Sequence, residues 1–247
     1  MTRGVAAIAL TAAAALAAAA PAAAPAAAGP RVETMIVGKT RTLLPARTVR
    51  ASATTVRAGG RRCAVGAATP LAVLVAARRA GGPSLRVKDY GSCGPRPADA
   101  GGLFVFQVGR DRNRGRDGWV YKVGRKVGTT PAADPSGPFG TGRRLAGGAR
   151  VLWFWCRMGA RGCQRTLGIS APRSATAGSP VTVTVTGYDD MGRGTPVAGA
   201  TVRIGSVTQT TAADGRATLA APGAGRARVT ASARGLVDAF PETLQVR

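Results

Sequence analysis

The sequence predicts a mainly β protein: a small α+β module, with a mixed sheet and one short helix, followed by an all-β sandwich. Three observations carry this. Short β-branched runs recur between Gly and Pro punctuation, with 35 Gly and 16 Pro in 247 residues. A single stretch, Thr69 to Ala80, has the start and stop signals of a helix. Beyond Ser170 the chain alternates at period two, with Val181, Val183 and Val185 on one face and Thr182, Thr184 and Thr186 on the other.

In chain order, Val32 to Val37 and Thr48 to Val56 read as strands. The helix follows, with Pro70 in its first turn, Leu71, Val73, Leu74 and Val75 inside, Arg78 and Arg79 near its end and Gly81 just beyond. Leu85 to Val87 resumes a strand. Leu103 to Val108 and Trp119 to Val123 read as the two arms of a hairpin around a polar loop. Gly124 and Arg125 suit a two-residue type II′ turn, Gly first. After a Pro- and Gly-rich excursion from Thr129 to Gly142, Ala149 to Cys156 is a strand with Trp153 and Trp155 on one face and Leu152 and Phe154 on the other. In the second segment, strands are expected at Ala200 to Ile204, Gln209 to Thr211, Ala217 to Ala220, Ala227 to Ala233 and Thr243 to Val246, the spacing of a sandwich.

Residues 1–28 read as a signal peptide. Arg3 supplies the basic start, Val5 to Ala20 the apolar run, and Ala26 and Ala28 an Ala-x-Ala cleavage site before Gly29. The run is Ala-rich, ended by Pro21 and Pro25, and short of the roughly 20 apolar residues a membrane span needs. The modules are then 29–168 and 169–247, and no transmembrane segment is expected in the mature chain. The expected location is secreted, extracellular or attached to the cell surface.

Export changes how the cysteines read, because an oxidising compartment turns an even number of them into a disulfide framework. Cys63 with Cys93 and Cys156 with Cys163 each close a local loop and are the favoured pairs. A four-thiolate zinc site is the rival, without the paired C-x-x-C spacing it needs.

The absence of His removes the commonest general base and metal ligand, and with them Ser-His-Asp and Cys-His chemistry. The only adjacent carboxylates, Asp189 and Asp190, lie in a Gly-flanked turn and read as solvated turn residues, with a calcium ligand pair as the alternative. No Gly-rich stretch carries the Lys and Ser/Thr of a phosphate loop. A non-enzymatic protein with no cofactor is therefore expected. Two groups remain as binding candidates: the aromatic cluster Trp119, Tyr121, Trp153 and Trp155, which serves either as core or as a ligand platform, and the loop arginines Arg110, Arg112, Arg114 and Arg116, which are either a solvated tip or an anion-contacting finger. The net charge of +24 favours anionic partners, although Arg enrichment alongside Ala and Gly is also what a GC-rich genome produces.

The pattern Trp119, Tyr121 and Val123, followed by Leu145, Gly147, Gly148, Val151 and Trp153, resembles the C-terminal domain of transcobalamin-like proteins over about Arg31 to Cys156. The resemblance implies a helix plus mixed strands and a surface that covers a ligand, corrinoid-like in the vitamin carriers. Gly124 and Arg125 replace the family's Asn-Gly turn, and Ala149 its Asp. The segment after Ser170 resembles bacterial immunoglobulin-like and carboxypeptidase-regulatory-like modules through Val181 to Val185, Pro196 to Val202 and Thr211 to Ala217. That resemblance implies a spacer or adhesion unit. The expected partner is an extracellular or cell-envelope ligand, an anionic polymer such as a cell-wall polymer or nucleic acid among the choices.

Overall fold

The computed structural model describes Met1 and residues 28–247; the leader expected over residues 1–28 falls almost wholly outside them. The first module has two five-stranded sheets. One is built from β1 (Arg31–Val37), β2 (Thr42–Arg50), β8 (Gly118–Val123), β9 (Lys126–Val127) and β10 (Arg150–Cys156), in the order β2-β1-β10-β8-β9. The other contains β3 (Thr54–Ala58), β4 (Arg61–Val65), β5 (Leu85–Asp89), β6 (Leu103–Val108) and β7 (Asp111–Arg112), in the order β4-β3-β5-β6-β7. Helix α1 (Pro70–Arg79) lies between β4 and β5 in the chain.

The helix forms where its signals place it. Thr69 is a buried N-cap whose Oγ1 accepts from the Ala72 N–H and donates to the Gly66 carbonyl, Pro70 needs no partner at the first position, and the Ala80 N–H closes the last turn on Ala76. Leu71, Val73, Leu74 and Val75 are buried with Val151, Trp153 and Trp155 of β10 in one core. Each such side chain contributes roughly 1.5–3 kcal/mol by leaving water.

Two expectations are corrected. Thr48 to Val56 is not one strand: it breaks at Ala51, and its halves enter different sheets, β2 beside β1 and β3 beside β4. Ala51 is fully buried, with its N–H on the Pro30 carbonyl and its carbonyl accepting the Ala68 N–H, so the chain turns to pack there. Likewise Leu103 to Val108 and Trp119 to Val123 do not pair. Strand β6 ladders with β5 and β7, whereas β8 ladders with β10 and β9. The loop itself takes the pairing β6 would have offered, as Asp111–Arg112 folds back on Gln107–Val108. The Gly124-Arg125 turn does form, with Gly124 at φ 61 and Val123 opposite Lys126.

The second module is a two-sheet sandwich. One sheet centres on β13 (Pro180–Tyr188), flanked by β11 (Thr166–Ser170) on one edge and by β14 (Gly194–Pro196) and β17 (Arg216–Ala220) on the other. The facing sheet runs β12-β19-β18-β15-β16, with β12 Ser174–Ala175, β15 Thr201–Ile204, β16 Val207–Thr210, β18 Gly225–Ser232 and β19 Glu242–Val246. Val181, Val183 and Val185 enter a core with Val202, Ile204, Val229 and Leu244. Strand β11 starts at Thr166, ahead of the Ile169 at which the sequence divides.

Both favoured disulfides are present, Cys63–Cys93 and Cys156–Cys163, with Cα separations of 5.2 and 5.1 Å and no free cysteine. They are consistent with an extracellular or secreted protein. Among the described residues no helix is long and apolar enough to cross a membrane.

The modules share a packed boundary. Leu152, Phe154 and Cys156 of β10, with Met35 and Val37 of β1, form a separate apolar cluster with Val237 of the second module, and Phe240 and Met158 pack on it. Arg150 bridges Glu33 of β1 (2.7 Å) and Glu242 of β19 (2.6 Å) and lies over the Phe240 ring. The first sheet is therefore covered on both faces.

Candidate functional site

Because β6 and β8 part, a cleft of about 430 Å³ opens between them, lined by Leu103, Phe104, Val105, Trp119, Tyr121 and Trp153 and closed at one side by Gly128 to Ala132. The lining is mainly apolar. Its rim carries the two most exposed aromatic side chains, Tyr90 (72% exposed) and Phe104 (42%), whose rings sit 5.8 Å apart.

Local chemistry holds the cleft's wall. Tyr121 Oη donates to the Thr130 carbonyl at 2.7 Å, and a Cβ on Gly128 would overlap the Tyr121 ring, so only glycine lets the 128–132 loop close over it. Burial raises the Tyr121 phenol above its ordinary pKa, against the bond to Thr130. Asn113, the chain's only Asn, spans the opposite end: its Oδ1 accepts the Trp119 N–H at 3.0 Å, and its Nδ2 lies 3.4 Å from the Val105 carbonyl.

All four aromatic candidates are buried, and they pair as Trp119 with Trp155 (edge-on, 5.9 Å) and Tyr121 with Trp153 (5.3 Å). Trp119, Tyr121 and Trp153 reach the cleft wall; Trp155 does not, and Lys39 Nζ stands 4.2 Å from its ring centre.

Arg110, Arg112, Arg114 and Arg116 are all exposed, and none forms an ion pair among the described residues. Their loop is pinned all the same. Asp111 accepts the Lys39 N–H, Asp117 accepts the Met158 N–H, and residues 114 and 117 exchange backbone bonds. Arg112 and Lys88 both lie over Phe106, and with Arg116 they border a second hollow that shares Tyr90, Phe104, Trp119 and Val120 with the first. Cleft and basic surface are thus continuous.

Asp189 and Asp190 are not the solvated pair expected. Both are half-buried at the module boundary: the Asp189 carbonyl accepts from Lys122 Nζ at 2.7 Å, and Asp190 accepts the Cys163 N–H through Oδ2 while its Oδ1 is buried without a partner. Lys122, between Tyr121 and Val123, carries no signal of its own in the sequence. It is fully buried, donating to Thr166 Oγ1, Tyr188 O and Asp189 O. Burial lowers its pKa to about 8, against the opposing pull of Asp190 and Asp189. Among the described residues no group of three or more His, Cys, Asp or Glu could hold a metal.

No protein-family model matches this chain, and neither does any curated protein.

Proposed function

We propose that this is a non-enzymatic binding protein of the cell exterior that holds an apolar ligand in the cleft between β6 and β8. The carrying observation is that cleft: about 430 Å³, walled by Trp119, Tyr121 and Trp153 and rimmed by the exposed Tyr90 and Phe104. A concave apolar site beside exposed aromatics is what small-ligand and partner recognition uses. The chain has no His, and its buried Tyr121 and Lys122 are occupied structurally, which favours binding over catalysis. The two disulfides suit an exported protein, and the transcobalamin-like pattern suits a ligand-covering surface.

Titration with the apolar dye Nile red, followed through tryptophan energy transfer, tests the reading. Saturable binding that Phe104→Glu and Thr129→Trp each weaken is the expected result. Dye binding that both variants leave unchanged would remove the cleft as the site.

A second reading has its own observation. The unpaired Arg110, Arg112, Arg114 and Arg116, on a pinned loop of a chain carrying +24, favour salt-dependent adhesion to anionic polymers. Affinity for duplex DNA or polyphosphate should fall steeply with salt and lose part of its slope in the Arg112→Ala, Arg116→Ala double variant; a salt-independent affinity contradicts it.

A further inference from the structure

The cleft has walls of a particular kind, because both are strand edges with unspent backbone hydrogen bonds. Along β8, the Gly124 N–H bonds the Arg150 carbonyl, which fixes Lys122–Leu152 and Val120–Phe154 as the bonded rungs with β10. Trp119 and Tyr121 therefore turn their N–H and C=O groups away from β10. Asn113 takes the Trp119 N–H, and Gly128 donates to the Tyr121 carbonyl. The Trp119 C=O and the Tyr121 N–H have no partner among the described residues.

The opposite wall repeats this arrangement. The Tyr90 N–H bonds the Gly102 carbonyl, so Lys88–Phe104 is the bonded rung with β5, and Leu103 and Val105 point away from it. The Leu103 N–H is used on Ala100, and the Val105 carbonyl faces Asn113 Nδ2. The Leu103 C=O and the Val105 N–H remain. Two donors and two acceptors thus line one apolar slot, where unpaired backbone is costly unless something meets it.

Asn113 indicates what fits. Its side-chain carboxamide is chemically a peptide group, and it bridges the two edges by offering N–H to Val105 and C=O to Trp119. It stands at the end of the slot as one peptide unit of a strand that stops there.

Resting on the cleft reading above, we infer that the ligand is an extended peptide segment that adds as a strand between β6 and β8, joining the two sheets of the first module; the two edges, whose Cα atoms approach within 8 Å, spread to the roughly 9.5 Å that an intervening strand needs. Its backbone meets Leu103, Val105, Trp119 and Tyr121. Its apolar side chains lie against the Tyr90–Phe104 rim, and an acidic residue reaches Lys88, Arg112 and Arg116, where the surface carries unpaired positive charge beside the slot.

The probe is the blocked peptide Asp-Glu-Val-Thr-Val-Thr-Val-Glu-Asp, titrated into the full chain, with amide hydrogen exchange read by NMR at Val105 and Tyr121. Both amides are expected to exchange freely in the unliganded protein and to slow by about tenfold or more at saturation, while methylating alternate backbone nitrogens of the same peptide weakens binding by about tenfold. Arg112→Glu with Arg116→Glu should weaken the acidic peptide, while a Val-Thr peptide without acids binds as before. Peptide binding that leaves the two amides unprotected, or that survives N-methylation, overturns the inference. So does protection in the absence of peptide that grows with protein concentration, the mark of a second copy occupying the slot. If Nile red binds the cleft and no peptide displaces it, the peptide inference fails and the cleft reading stands; if neither probe reaches the cleft, both fall.

Discussion

Strands β10 and β13 teach opposite lessons about burial. In β10, Arg-Val-Leu-Trp-Phe-Trp-Cys, every residue after Arg150 is buried, whereas in β13, Pro-Val-Thr-Val-Thr-Val-Thr-Gly-Tyr, burial alternates. The second strand belongs to a sheet with one wet face. The first pairs in parallel with β1 and has helix α1 on one side and the second module on the other. A near-continuous apolar run is what a doubly covered sheet requires. The second module is thus more than an appended unit, since it supplies the other half of that cover.

The most damaging way to break this contrast is a charge at the shared boundary. Phe154→Asp puts an unpaired carboxylate among Met35, Val37, Leu152 and Val237 and should cost about 3 kcal/mol or more, splitting one calorimetric transition into two. A single unchanged transition would mean that the boundary carries little of the stability.

Next in size is the disulfide comparison. Cys63–Cys93 closes the longer loop, with a sequence separation of 30 against 7 for Cys156–Cys163. In the chain-entropy picture Cys63→Ser should cost roughly 3–4 kcal/mol and Cys163→Ser roughly 2–3, both measurable by urea titration. The reverse ranking would show that the short bridge, at the junction of the modules, acts by holding them together.

Lys122 sharpens the comparison through pH. Its pKa is about 8 in the folded chain against 10.5 ordinarily, so between those values the unfolded chain keeps a proton that the folded one has released. Stability should therefore rise with pH from about 8 towards 10.5, by at most about 1.4 kcal/mol per pH unit. Lys122→Met should abolish this rise and cost roughly 1–3 kcal/mol near neutral pH, because the Tyr188 and Asp189 carbonyls lose their donor. Parallel denaturation series for both proteins decide it.

The smallest effect tests β13. Thr182 is exposed and cross-strand from Thr218, so Thr182→Val should change stability by no more than about 0.5 kcal/mol, whereas Val183→Thr, with Val183 in the core, should cost about 1 kcal/mol or more. Equal costs would mean that the alternation does not set the buried face.

Local signals were legible wherever neighbours in sequence decide the structure. Thr69, Pro70 and Gly81 delimit α1, Gly124 turns the chain, and Val181 to Val185 choose their face, because each depends on backbone geometry or on period within a few residues. The cleft was only half legible. Trp119, Tyr121 and Trp153 stood out as aromatics, but Tyr90 and Phe104 lie on other segments and Asn113 was hidden in an Arg-rich loop, with its status as the sole Asn the one available hint.

The sequence alone determined a β-rich chain, its α-helix at Pro70–Arg79 and the alternating second module, and through loop closure it favoured the two cysteine pairs. Tertiary structure alone decided which edges find partners: that β6 turns to β5 and β8 to β10, that Lys122 is sealed beneath Tyr188 and Asp189, and that β10 is covered twice. The physical reason is range. Turns, caps and periodicity act over a few residues, while strand partnering and the burial of a charged side chain depend on segments far apart in the chain, whose competition is settled only when the whole core packs.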